Sequence, residues 1–177
     1  MSRNENVMFS HPLSDAITMK VAIYFDTKFG SNQKVAAHLS GALIAKGHTA
    51  DVHRISDVRP KELPPADLYV FSSPTRLGKP KGSMRRFLKR ARLAPNAKYA
   101  LIATHGEPRP NKKTGQMPTP EEIERYQGTL RTMSELLAGK GTKVAEMKLY
   151  VSSESMSGPL LEGWEKKVER FADEITK

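Results

Sequence analysis

The chain has 177 residues, no cysteine and a formal net charge of +10, with a pI near 9.8. That composition excludes disulfides, thiolate metal centres, iron–sulfur clusters and a cysteine nucleophile, and it fits a reducing compartment. No segment approaches the roughly 18 consecutive apolar residues that cross a bilayer, and residues 1–18 lack the apolar stretch of a secretory signal. A cytoplasmic protein is therefore expected, with residues 1–18 as a mobile N-terminal extension, Met19 as a second candidate start, and 19–177 as one domain.

Residues 20–26 (KVAIYFD) form a short, nearly continuous apolar run, the composition of a strand buried on both faces. Residues 32–46 follow with Val35, Ala36, Leu39, Ala42 and Leu43 at helical spacing and stop before Gly47. A weaker second strand is predicted at 49–54 and a strong third at 67–72 (DLYVFS). The next helix begins near Gly82, where Met84, Phe87, Leu88 and Ala91 make the buried stripe and leave Arg85, Arg86, Lys89 and Arg90 facing water. A fourth strand is read at 99–104 (YALIAT), then a polar loop, then one helix over 120–138 with Glu121, Glu122 and Glu124 in its first turn. A fifth strand at 144–151 and a helix at 160–175 complete the chain. Strands alternating with helices imply βαβ units and a parallel sheet covered on both faces.

Open parallel sheets bind ligands at the carboxyl ends of their strands. Three loops are therefore candidates: DTKFGSNQ after strand one, SPTRLGKPKG after strand three and HGEPRPNKKTGQMP after strand four. A phosphate needs convergent donors. Thr27, Ser31 and Asn32 offer side-chain donors, Gly30 permits a tight backbone path, and the helix starting near Ser31 offers free N–H groups. A capped helix uses the same residue types without any ligand, so both readings stay open on this loop alone. Neither a GxGxxG fingerprint nor a GxxxxGK[ST] phosphate loop is present, which argues against a nicotinamide-binding Rossmann domain or a nucleoside triphosphatase. Asp26 and Glu107 have no third carboxylate nearby, and no metal site is expected. Arg109, Lys112 and Lys113 read as a solvated loop. The stretch from Arg76 to Arg92 carries eight basic residues and no acid, either a solvated helix face or a docking surface for an acidic partner or polyanion.

Three separated stretches together resemble flavodoxins: MKVAIYFDTKFGSNQKVA their opening strand, phosphate loop and helix, DLYVFSSPTRLGKPKGSMRRFL their third strand and flavin-flanking loop, and SGPLLEGWEKKVERFADEI their last helix. The resemblance spans roughly 19–177 and implies a doubly wound α/β fold with a five-stranded parallel sheet in the order 2-1-3-4-5, helices on both faces, and FMN as cofactor. It implies that Thr27, Lys28, Phe29, Gly30, Ser31 and Asn32 hold the phosphate. Ser73, Pro74, Thr75, Arg76, Leu77 and Gly78 would line one side of the isoalloxazine, and Thr104, His105, Gly106 and Glu107 another. His105 reads first as a loop residue and, through the resemblance, as a donor to flavin N1 or O2; Arg76, with its permanent charge and its place in the flanking loop, is the better candidate for that task. The family's electron carriers stack the flavin on Trp or Tyr, whereas here the only Trp, Trp164, falls in the terminal helix and Tyr126 beyond the third loop. They are also acidic, so the redox partner of this basic chain is expected to be acidic. A response-regulator receiver has a similar topology but needs an aspartate ending strand three, where this chain has Ser72 and Ser73.

The resulting expectation is electron transfer, or NAD(P)H-dependent reduction of a quinone-like small molecule. One alternative is a flavin-free binding module that uses the basic helix at 82–92 for an acidic partner or nucleic acid. A further alternative is an oxidase of a tetrapyrrole precursor. Carrier and reductase stay undivided at this level.

Overall fold

The computed structural model describes residues 17–153 and 157–177. The extension expected over 1–18 therefore lies, for residues 1–16, outside the described residues. Strands β1 (Lys20–Phe25), β2 (Thr49–Arg54) and β3 (Leu68–Arg76) are followed by a two-residue strand, β4 (Lys79–Pro80), then β5 (Lys98–Gly106) and β6 (Thr142–Val151). The helices are α1 (Ser31–Ala45), α2 (Gly82–Arg90), α3 (Pro120–Tyr126), α4 (Thr129–Leu136) and α5 (Trp164–Ile175).

The strands pair in the order β2-β1-β3-β5-β6, all parallel, which is the expected 2-1-3-4-5 arrangement once the short antiparallel β4 is set aside. Period-two alternation explains why β1 has no polar face. Val21, Ile23 and Phe25 pack with α1 and α5 through Val35, Leu39, Leu43, Val168 and Phe171. Ala22 and Tyr24 face the other layer, with Phe71, Met84, Phe87, Leu88 and Met133 of β3, α2 and α4. Each fully buried Val, Leu or Phe contributes about 1.5–3 kcal/mol of transfer free energy, so the central strands anchor both layers. Trp164 belongs to the first layer, where it meets the His38 ring edge-on at 5.2 Å. Among the described residues no helix is long and apolar enough to cross a membrane.

Three elements differ from the sequence expectation. Strand three runs four residues beyond Ser72 because Thr75 and Arg76 pair with Pro80 and Lys79 in a hairpin. The hairpin turn is Leu77–Gly78, with φ of +50° and +77°, the left-handed pair that a two-residue turn requires. The helix expected over 120–138 is two helices. Its break falls at Gly128, where a Cβ would sit 2.8 Å from the Gly78 carbonyl oxygen, so the hairpin tip occupies the space a side chain would need. The last helix starts at Trp164 and not at residue 160, because Leu160 bridges to Val151 and the Leu161 N–H donates to the Tyr150 carbonyl.

Candidate functional site

The carboxyl ends of β1, β3, β5 and β6 open into two adjoining hollows of about 420 Å³ each, which share Thr75, Leu77, His105, Gly106 and Arg109 and so form one cleft.

At one end lies the β1–α1 loop. Gly30, at φ +95°, is the N-cap of α1, and no side chain accepts a hydrogen bond there, so the positive end of a 15-residue helix is left without a side-chain cap. Thr27 Oγ1 accepts from the Gly30 N–H at 2.8 Å, which fixes the loop and leaves the Thr27 hydroxyl proton to donate elsewhere. Thr27, Lys28, Phe29 and Ser31 line the cleft. Asn32 also borders it, yet its amide is committed within the protein: Ser72 Oγ donates to its Oδ1 at 2.7 Å, and its Nδ2 donates to Thr104 Oγ1 at 2.9 Å. Asn32 therefore clamps α1 to β3 and β5, and its backbone N–H is what it can offer an anion. Asp26, beneath this loop, is buried and accepts from the Thr27 N–H at 2.9 Å, from Lys81 Nζ at 3.1 Å and from Ser83 Oγ. A buried carboxylate so surrounded is a structural anchor.

The middle of the cleft is formed by Pro74, Thr75, Arg76 and Leu77 on one side and Thr104, His105 and Gly106 on the other. Leu77 is fully exposed at a backbone angle unfavourable for a branched residue. Ser73 lies outside the cleft; it is fully buried, donates to the Pro74 carbonyl and accepts from the Lys81 N–H. His105, expected in a loop, is the penultimate residue of β5 and only 2% exposed. Its Nδ1 meets Thr75 Oγ1 at 2.8 Å, and that oxygen meets Thr129 Oγ1 at 2.6 Å. Either direction of this proton chain leaves His105 Nε2 without a protein partner. Burial, with the Lys148 charge as a smaller cause, pushes the imidazole down to about 4, so it is neutral at neutral pH.

The inner end is walled by Gly78, Glu107 and the α3 side chains Ile123 and Tyr126. Tyr126 is 68% exposed, and its own carbonyl lies 3.4 Å from where a Gly78 Cβ would be, so the hairpin brings this aromatic residue to the cleft. In the sequence Tyr126 falls beyond the third loop, with nothing local to connect it to the cleft. The loop after β6 was also missed. Val151, Ser153, Ser157 and Gly158 close the outer hollow, and Arg109 reaches across to donate to the Ser153 carbonyl. The signal for this loop is topological, since β6 is another parallel strand ending at the same edge.

No family model matches this chain, and no curated protein matches it in sequence. Solved structures do match in shape. Rubredoxin oxygen:oxidoreductase from Desulfovibrio gigas superposes with a TM-score of 0.65 at 16% identity over 89% of this chain, which spans 35% of that protein's length. A Streptococcus pneumoniae flavodoxin gives 0.63 at 15% identity, covering 88% of this chain and 96% of its own. A Fusobacterium nucleatum flavodoxin bound to flavin mononucleotide gives 0.60 at 13% identity, covering 89% and 97%. With its strand order, its covering helices and its cleft at the carboxyl edge, the chain has the flavodoxin-like α/β fold.

Proposed function

We propose that the cleft binds FMN and that the protein is an electron-transfer flavoprotein. The observation that carries this reading is the α1 N-terminus without a side-chain cap, at one end of a cleft that continues past Leu77 and His105 to Tyr126. Hydroxyls of Thr27 and Ser31, with the backbone N–H groups of Ser31 and Asn32, would hold the phosphate. Pro74–Leu77 and Thr104–Glu107 would flank the ring, with Leu77, Phe29 and Tyr126 supplying apolar surface in place of a stacked tryptophan. When bound, FMN supplies one- and two-electron redox chemistry.

The chain's own groups fit that task. Arg76 and Arg109 set positive charge along the cleft, the sign that favours an added electron there. His105 borders the cleft, and its low pKa keeps the imidazole neutral there. The net charge of +10 favours a redox partner with an acidic face. A carrier and a small-molecule reductase separate on one measurement, consumption of NAD(P)H with a quinone as acceptor.

The test is titration of the flavin-free protein with FMN, followed by absorbance and by quenching of flavin fluorescence. Saturable binding is expected. Gly30→Val should abolish it, because valine is strained at φ +95° and crowds the phosphate cradle. Arg86→Glu, outside the cleft, should leave it intact. No binding, or equal loss in both variants, would overturn the assignment.

A further inference from the structure

A second concavity lies on the other side of Asp26, between α2 and the segment that follows β2. It has a volume of about 320 Å³, within the range of small-ligand pockets, and three arginines border it: Arg54 at the end of β2, and Arg86 and Arg90 on α2. The helical repeat explains the convergence, since Ser83, Arg86 and Arg90 fall at i, i+3 and i+7 and share one stripe. Arg86 bends back toward the start of its helix, its Nη1 lying 3.5 Å from where a Gly82 Cβ would be. The positive end of α2 thus adds to the same field.

Among the described residues none of these three guanidinium groups has a carboxylate within ion-pair distance; Arg54 instead lies over the Phe25 ring at 5.8 Å. The one acid that lines the recess, Asp26, already accepts from Lys81, Ser83 and the Thr27 N–H. The three guanidinium groups, exposed and without a protein carboxylate at ion-pair distance, are open to an anion. Apolar side chains, Ile55, Val58 and Phe87, complete the lining among the arginines. Guanidinium forks match phosphate oxygens two at a time, and the apolar side chains suit an attached organic body.

We propose that this recess is a phosphomonoester site for a ligand of nucleoside monophosphate size, adjoining the flavin cleft only at Thr27, which borders both, and argued independently of that reading. Its volume admits one such unit. The larger basic hollow that continues past Arg86 and Arg90 is lined by no aromatic ring, so a stacking platform for single-stranded nucleic acid is missing there.

The test is calorimetric titration with AMP at low salt, on flavin-free protein and on protein loaded with FMN. Equal affinity is expected in both, with inorganic phosphate competing and adenosine inert. Arg86→Ala and Arg90→Ala should each weaken binding about tenfold or more. Arg85→Ala, outside the recess, should not, and all three variants should melt like the parent protein. Absence of AMP binding, equal loss in Arg85→Ala, or loss of AMP binding on FMN loading would overturn the proposal. An oligonucleotide that binds more tightly than AMP would overturn it in favour of an extended polyanion surface. If FMN fails to bind, the flavin-free titration still decides.

Discussion

Replacing His105 with asparagine should flatten the acid limb of the stability curve. In the native protein the imidazole is 2% exposed and its pKa is held down at about 4, whereas the unfolded chain releases it to the ordinary 6.5. Below pH 6.5 the unfolded state therefore takes up a proton that the folded state refuses. The stabilising effect is fully present above pH 6.5, is lost as the pH falls toward 4, and changes no further below that. At about 1.4 kcal/mol per pH unit, the full interval corresponds to about 3 kcal/mol. Asparagine keeps a polar atom near the position that meets Thr75 Oγ1 but does not titrate in this range. The assay is urea denaturation of both proteins from pH 7 to pH 4. The difference between the two curves removes every group they share. It should shrink by about 3 kcal/mol as the pH falls, because only the parent protein loses stability through this residue. A difference that stays constant across the interval would refute the argument, as would an imidazole resonance of His105 titrating near 6.5 in an NMR series.

Leu77→Asn should stabilise the protein by about 1 kcal/mol, since asparagine accepts the left-handed conformation better and the lost side chain is fully exposed. The same change should weaken FMN binding if Leu77 covers the ring; a drop in stability measured by urea denaturation would contradict the strain argument. Gly128→Ala should cost about 2 kcal/mol, because its Cβ would lie 2.8 Å from the Gly78 carbonyl oxygen and backbone would have to move. A melting temperature equal to that of the parent protein would show that the hairpin yields freely. Asp26→Ala should cost about 2–3 kcal/mol, less than for a fully buried ion pair because the Lys81 side chain is 32% exposed. Lys81→Met in the same background should recover part of that loss, and no recovery in chemical denaturation would mean that the Ser83 and Thr27 contacts dominate.

Most of the sheet is legible because β1, β3 and β5 are apolar on both faces, a composition that few other settings allow. The departures share one cause, namely contacts between residues far apart in sequence. The hairpin after β3 is hidden because Leu–Gly is a poor type I′ signature, and packing against α3 and α4 supports its short ladder. The 120–138 pattern reads as continuous because its apolar spacing runs through Gly128, and the break is imposed by the Gly78 carbonyl. His105 reads as a loop residue because Thr104 and His105 end the apolar run, yet β5 continues beneath them to pair with β6. The phosphate-loop residues cluster as their spacing suggests, with two refinements. Asn32 commits its amide to Ser72 and Thr104, and Ser73 faces the interior. The aromatic residue that local sequence could not connect to the cleft, Tyr126, arrives through the same hairpin contact that breaks the helix.

That contact also limits how this wall of the cleft can diversify. A Cβ on Gly128 would meet the Gly78 carbonyl, and one on Gly78 would meet the Arg125 carbonyl at 3.0 Å, so neither glycine can gain a side chain unless the facing backbone retreats. Between them they leave one position of the turn open to change, Leu77, whose side chain projects wholly into solvent. Evolution, or a designer, can retune what the cleft presents to an incoming molecule by exchanging that single residue while its frame stays fixed.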